Sequence, residues 1–434
     1  MQRETGRKGV RGARSPHPLE RGGYREVKLG NASGDFDAAR GLDLAELFAF
    51  LRVTQPEAWE SLAKLHGGEE RTQARFADRL AKELDARGTV DVLRHGVVDL
   101  GVPLRLAYFK PAYGLNADLV ARYEANRLTV TRQLPYDAPA SNKTLDLALF
   151  VNGLPVAAAE LKNALTGQNV EDAKSQYRKD RDPKNIALSR RAVVHFAVDT
   201  EEVVMTTKLE GASTRFLPFN RGRDGGKGNP PNPQGHRTAY LWERVWEKDA
   251  WLDILGRFVH AEKANPAKGS KASGTTIFPR YHQWDAVLSL SADARQNGPG
   301  ENYLVQHSAG SGKSNTIAWL AHRLSNLHDA TDEKVFDKVV VITDRVVLDK
   351  QLQETIYQFE HAHGVVVKID ESSSQLAEAL SGQTARIIIT TLQKFPFVLD
   401  KVGILPDRSY AVLVDEAHSS QTGETSKDMK RVLG

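Results

Sequence analysis

Cysteine is absent from the 434 residues. That excludes disulfides, thiol nucleophiles and zinc–thiolate sites, and it agrees with a cytoplasmic location. Long apolar runs are missing too: none approaches the roughly 20 residues that a membrane helix needs. The N-terminus is positively charged but has no apolar stretch behind it, so no secretory signal is read there. The excess of positive charge is concentrated at one end. Residues 1–25 carry Arg3, Arg7, Lys8, Arg11, Arg14, Arg21 and Arg25 against Glu4 and Glu20, a net +5, whereas the remainder of the chain sums to −1. The pI of about 9.0 is therefore the property of a Gly-, Arg- and Pro-containing tail that is expected to be disordered. Such a tail either touches a phosphate backbone or is a solvated extension. Any case for nucleic acid has to come from elsewhere in the chain.

A hydrophobic content of 40% and a charged content of 26% are those of an ordinary globular protein of two or three domains. No internal repeat is present. Residues 41–95 read as helices, with Phe76, Leu80 and Leu84 at helical spacing and Gly88 as a stop. Strand-like runs follow, "LRLAYF" and "RLTVTRQL" among them, then the helix "NVEDAKSQYRKDRD" and a hairpin, "AVVHFAVDTEEVVMTTKL", turning near 199–201. Residues 220–237 are a Gly-, Pro- and Asn-rich loop, 240–260 are helical, and 263–275 have linker composition. Beyond 276 the runs "YLVQH", "KVVVITD", "VVVKI", "RIIITT" and "AVLVD" alternate with helical stretches, as parallel strands covered on both faces do. The expected division is a tail at 1–25, a first domain at 26–262, a linker at 263–275 and an α/β domain at 276–434.

In "YLVQHSAGSGKSNTIAWLAHRL" a strand, a glycine loop and an amphipathic helix follow one another. Gly310, Ser311 and Gly312 let backbone N–H groups face an anion, Lys313 reaches the β/γ-phosphates of a nucleotide, and Ser314 ligates Mg²⁺. His307 stands where the strict phosphate-loop pattern has glycine. In "YAVLVDEAH", Asp415 ends a strand and holds Mg²⁺, and Glu416 orients the attacking water. The pairing resembles the motor of superfamily 2 helicases and translocases. That resemblance implies a RecA-like parallel-sheet domain that binds ATP with Mg²⁺. It also implies an adenine-reading role for Gln283, thirty residues before Lys313, and DNA-backbone contacts from Thr343, Arg345, Thr391 and Lys394.

The hairpin "TLDLALFVNGLPVAAAELKN" (144–163) is apolar except at its ends, where Asp146, Glu160 and Lys162 stand. Unpaired buried charges are expensive, and two converging carboxylates with a nearby lysine are what a metal nuclease needs. Glu160 and Lys162, two apart on a strand, share a face. A plain two-residue Asn152-Gly153 turn pairs 146 with 159 and turns Asp146 away from Glu160. A metal site therefore requires a three-residue turn, pairing 146 with 158, or a bulge. The D…ExK arrangement is similar to that of restriction-type nucleases, which implies a PD-(D/E)xK-type domain of mixed sheet and helices. With "ELKN", "AKSQYRKDRDP", "HFAVDTEEVVMTTKL" and "RFLPFNRGRDGGKGNPPNPQGHRTAYLW", residues from about 40 to 434 resemble the N-terminal part of the R (restriction and motor) subunit of type I restriction enzymes.

That resemblance implies Asp146, Glu160 and Lys162 as the nuclease set, Mg²⁺ and ATP as cofactors, and double-stranded DNA as substrate. It also implies partnership with specificity and methyltransferase subunits. Relatives often place Gln-x-x-x-Tyr on the next helix. Here Gln176 directly precedes Tyr177 and position 173 is Ala, so these two residues are supporters at most. The chain stops nineteen residues after Asp415, short of a second motor lobe, and weak ATP binding with negligible DNA-stimulated turnover is expected of it alone. Two other readings remain: a superfamily 2 ATPase whose first domain only binds DNA or partners, and an inactive subunit that only docks with the methyltransferase complex.

Overall fold

The computed structural model describes residues 18–27, 36–111, 116–137, 143–261, 276–308, 310–343, 352–357, 365–369, 372–396, 398, 408–417 and 424–433. The linker-like 263–275, Arg345 and the first part of the tail lie outside these residues. The rest of the tail is packed rather than extended: Leu19 and Tyr24 are buried, and β1 (Arg25–Glu26) joins a sheet beside Thr129 and Val130.

That sheet has seven strands in sequential order. After β1 come β2 (Leu128–Pro135), β3 (Thr144–Val151), β4 (Leu154–Leu161), β5 (Val194–Val198), β6 (Val203–Thr206) and β7 (Leu217–Pro218). The pairs β1/β2 and β4/β5 are parallel and the other four are antiparallel. Strands β3 and β4 lie in the middle and are buried along almost their whole length, which accounts for the near-absence of polar side chains there.

Each face of this sheet is covered differently. Leu147, Leu149, Val156, Ala159 and Phe196 point into a large core shared with four helices. These are α1 (Leu44–Thr54), α2 (Pro56–His66), α3 (Glu69–Arg87) and α4 (Thr89–His95). Asp43 caps α1 by accepting from the Glu46 N–H, and α3 buries Phe76, Leu80 and Leu84 before stopping at Gly88, as its periodicity predicts. Ala148, Phe150, Ala158 and Ala197 face the other way. There they meet Val170, Ala173 and Tyr177 of α5 (Val170–Lys179), whose first turn is closed by a reciprocal Asn169–Asp172 capping box. The run "LRLAYF" forms no strand beyond Leu104.

The aromatic side of the sheet continues into the second part of the chain. Phe278 lies 6.1 Å from Phe196 and 6.0 Å from Trp251, and Tyr281 lies 6.0 Å from Phe219. Phe278 leads into α6 (Tyr281–Asn297) and is followed, past the glycine loop, by α7 (Lys313–Leu324). The Trp319 indole N–H of α7 donates to the Phe258 carbonyl at 2.9 Å, and Arg323 pairs with Asp253 at 2.6 Å. On either side of the linker-like segment, His260–Ala261 and Thr276–Ile277 pair antiparallel.

The second sheet has four parallel strands: β8 (Lys338–Thr343), β9 (Val366–Lys368), β10 (Ile387–Thr391) and β11 (Tyr410–Val414), in the order β9-β10-β8-β11. β8 is buried throughout, as expected of a central parallel strand. One predicted strand is not formed. Tyr303–His307 makes no ladder, and Leu304 is 87% exposed. An extended run becomes a strand only through a paired neighbour, and here β11, which keeps an open edge and is only half-buried, pairs with β8 alone.

Candidate functional site

The β3–β4 hairpin is built on a two-residue turn. Asn152 (φ 51°) and Gly153 (φ 82°) are both left-handed, as a type I′ turn requires, and Val151 pairs with Leu154. Asn152 is fully buried. Its Nδ2 donates to the Leu106 carbonyl and to Asn126 Oδ1, and its Oδ1 accepts from the Arg127 N–H. Glycine at 153 is obligatory for space as well as conformation, because a Cβ there would lie 2.3 Å from the Asp43 carbonyl oxygen.

Past the turn, the register shifts by one residue between Leu149 and Phe150, so that Leu149 faces Ala157 and Leu147 faces Ala159. Continued by one step, this sets Asp146 opposite Glu160. The bulge, not a three-residue turn, restores the parity, and the partner is position 160 rather than 158. Both acids thereby fall on the α5 face of the sheet.

Glu160 is fully buried. Its Oε1 accepts from Arg181 Nε at 2.7 Å and Nη2 at 2.6 Å, while its Oε2 has no hydrogen-bond donor. Burial pushes its carboxyl up to about 8, Arg181 opposes this, and the Asp146 carboxyl, close enough to share a proton, adds to it. Asp146 itself is half-buried; it accepts from the Leu161 N–H at 2.9 Å and from Gln133 Nε2 at 3.1 Å. Gln133, on the neighbouring strand β2, has a left-handed backbone (φ 53°), which is unfavourable for a non-glycine residue and gathers at functional sites. Lys162 Nζ donates to Gln176 Oε1 at 2.5 Å, so Gln176 does support the lysine. Tyr177 is buried beneath Glu160 with its hydroxyl unpartnered, and its phenol is pushed up by burial and by Glu160.

Sequence reasoning passed over Arg181 and Gln133. Neither sits at a telling spacing: Arg181 follows the end of α5, and Gln133 acts through an unusual φ. The one available signal was that a buried glutamate demands a cation.

At the second site, Gly310 (φ 71°) and Gly312 (φ 86°) are left-handed and lead into α7, whose first residue is Lys313. The loop is held from α6 and the residue before it. Arg280 Nη2 donates to the Gly310 carbonyl, Gln283 Nε2 to the Gly312 carbonyl at 2.9 Å, and the His282 ring lies 3.4 Å from the Ser311 carbonyl. Gln283, expected to read adenine, is buried, and its Oε1 also accepts from the Arg280 N–H, so both ends of its amide are engaged by protein. A Cβ on Gly312 would lie 2.6 Å from Gln283 Nε2, so the loop closes only with glycine there. The Ser311 hydroxyl is buried without a partner.

Lys313 forms an ion pair with Glu416. Asp415 follows β11, donating its N–H to the Ile342 carbonyl, and burial raises its carboxyl despite Lys313 nearby. Ser314 is half-buried at the start of α7. His307 packs edge-on against His282 at 5.2 Å. Of the expected DNA-contacting residues, Thr391 and Lys394 are half-buried at the end of β10. Thr343 is 2% exposed and its hydroxyl is enclosed, so that hydroxyl is not offered to a DNA backbone.

Two family models match the chain. Residues 112–214 match the N terminus of the type I restriction enzyme R protein, and residues 282–434 match the SWI2/SNF2 ATPase. The first stretch contains Asp146, Glu160, Lys162 and Arg181; the second contains the glycine loop, Asp415 and Glu416. Among curated proteins, the type I restriction enzyme HindI endonuclease subunit of Haemophilus influenzae is 26% identical over 314 residues, covering 70% of this chain and 28% of its own length. A provisionally named type I endonuclease subunit, MjaIXP of Methanocaldococcus jannaschii, is 22% identical over 327 residues, covering 66% and 28%. This chain thus spans about 28% of the length of these relatives. Among solved structures, the UvsW helicase of bacteriophage T4 aligns with 40% of this chain and 51% of its own, at 18% identity and a TM-score of 0.26, a likeness too weak to bear on the fold. By class, then, the chain carries one stretch similar to the N terminus of type I restriction enzyme R proteins and one similar to SWI2/SNF2 ATPases. In particular, it matches the N-terminal part of the type I restriction enzyme R subunits.

Proposed function

We propose that the chain supplies the nuclease and the first ATPase lobe of a type I restriction endonuclease, cutting duplex DNA in a Mg²⁺-dependent step coupled to ATP-driven translocation. The observation that carries this reading is the Asp146–Glu160 pair on the bulged hairpin. A fully buried glutamate keeps one oxygen without a donor beside a second acid. Crowding two carboxyls in this way costs folding free energy unless a cation joins them.

Among the described residues no group of three His, Asp or Glu side chains gathers around a cation position. Mg²⁺ fits the pair nonetheless, because it takes one or two carboxylates and completes its shell with water and phosphate oxygens. When bound, the cation supplies water activation and charge stabilisation at the phosphate. Asp146 and Glu160 are the residues that would hold it. Lys162, steadied by Gln176, provides a positive charge for the developing phosphate anion. In the ATPase lobe the loop from Gly310 to Gly312 cradles phosphates through backbone N–H groups. Lys313 would bind the β/γ-phosphates and Glu416 would orient water; Ser314 and Asp415 are the candidate Mg²⁺ ligands. Double-stranded DNA and the specificity and methyltransferase subunits are the partners this reading requires.

The test is Mg²⁺-dependent cleavage of supercoiled plasmid by wild type and by Glu160→Ala and Asp146→Ala, with ATP and the partner subunits supplied. Cleavage that vanishes in both variants while ATP binding persists is the expected result. Cleavage unchanged in Asp146→Ala favours an ATPase whose first domain only binds DNA.

A further inference from the structure

Arg181 has no role in the reading above, yet it is the most intimate neighbour Glu160 has. Two of its nitrogens converge on a single oxygen, Oε1, at 2.7 and 2.6 Å. A guanidinium that merely neutralised a carboxylate would take both oxygens in the parallel, two-pronged manner. This one approaches from the side and leaves Oε2 buried and without a donor. Its side chain is only 5% exposed, and its guanidinium lies over the Tyr136 ring, 5.5 Å from the centroid, so it is itself held in place. The two oxygens of Glu160 are thus made unequal by the fold: one is fixed to Arg181, the other lies buried without a donor beside Asp146.

We propose, resting on the metal-nuclease reading, that Arg181 is a positioning residue. It clamps Glu160 by Oε1 so that Oε2 is the oxygen presented, together with Asp146, to the divalent cation. The guanidinium does not touch the cation or the DNA. It removes the rotational freedom of a carboxylate that would otherwise offer either oxygen, and it keeps a buried acid from standing without a counter-charge.

The experiment measures Mn²⁺ binding by electron paramagnetic resonance on the full chain without nucleotide, for wild type, Glu160→Ala, Arg181→Lys and Arg181→Met. Melting temperatures are recorded in parallel. Wild type is expected to show a bound Mn²⁺ that Glu160→Ala lacks. Arg181→Met should weaken that site by roughly tenfold to a hundredfold, the range for partners that orient a metal ligand. Arg181→Lys keeps the charge but not the side-on fork, so it should weaken Mn²⁺ binding while melting close to wild type; this variant carries the test should Arg181→Met fail to fold. Mn²⁺ affinity within about twofold of wild type in Arg181→Lys, or tighter binding in Arg181→Met, overturns the clamp and leaves the metal site standing. Absence of any Glu160-dependent Mn²⁺ in wild type overturns the metal-nuclease reading itself.

Discussion

Glu160→Gln tests the energetics of the buried acid directly. In the folded protein its carboxyl is pushed from an ordinary value near 4.5 up to about 8, chiefly by burial. The folded state therefore binds a proton that the unfolded chain releases between those values, and the group's stabilising contribution is complete below about pH 4.5. It declines as the pH rises and is gone once the pH passes about 8. At about 1.4 kcal/mol for each pH unit, the full swing is close to 5 kcal/mol. A glutamine keeps the shape and cannot titrate. The assay is urea unfolding of both proteins between pH 5 and 8.5 in the presence of a chelator, following the difference in midpoint rather than either curve alone, since a chain with two sheets need not unfold in one step. Wild type should lose stability relative to Glu160→Gln steadily across that window. Adding Mg²⁺ should flatten the difference, because a cation at the pair favours the ionised form that the proton opposes. Parallel curves for the two proteins, with and without Mg²⁺, would refute the claim that Glu160 is a desolvated acid.

Gly153→Ala forces a Cβ to within 2.3 Å of the Asp43 carbonyl oxygen in a left-handed turn; the expected loss is at least about 2 kcal/mol, seen as a lower melting temperature. Phe196→Ala empties the point where the first sheet meets Trp246, Trp251 and Phe278, and should cost about 3–5 kcal/mol in urea unfolding. His195 and His260 are lowered from the ordinary 6.5 to about 4, chiefly by burial. Their contribution is complete above pH 6.5 and is lost as the pH falls through 4, at about 3 kcal/mol each; His195→Gln should reduce the acid slope of stability by about one proton. Lys313→Ala removes the cation of the glycine loop and should abolish binding of a fluorescent ATP analogue without changing the melting temperature of the first sheet.

What was legible in the sequence is what local rules govern. The continuous apolar character of the 144–163 run gave both strands, Asn152-Gly153 gave the turn, and the parity of Asp146 against Glu160 demanded an irregularity that the structure supplies as a bulge. Phe76, Leu80 and Leu84 gave the buried stripe of α3. The glycine loop was legible because left-handed backbone leaves so few residue choices. What was not legible depends on partners distant in the chain. Arg181 reaches Glu160 across 21 positions, and nothing in "YRKDRDP" tells which of its basic residues turns inward. "YLVQH" has a strand's composition, but a strand also needs an edge to pair with, and composition is silent on that. Nor does the sequence show that Gln283, expected at a base, hydrogen-bonds the Gly312 carbonyl and the Arg280 N–H.

The same distinction applies to the boundary between the two halves of the chain. Composition changes at 263–275, and a linker is the natural reading of so many small and polar residues. The segments on either side pair with each other as antiparallel strands, and Phe278 and Tyr281 close over the aromatic face of the first sheet. Phe196 belongs to β5, the strand that pairs with β4 and sets Ala197 beside Glu160. Tyr281 begins α6, whose first turn and preceding Arg280 hold the glycine loop. A core of interlocked aromatic rings transmits displacement instead of absorbing it, because its interior is close-packed. The β3–β4 hairpin, through β5, and the glycine loop, through α6, are therefore both tied to this aromatic cluster. The acidic pair faces away from that layer, on the α5 side of the sheet.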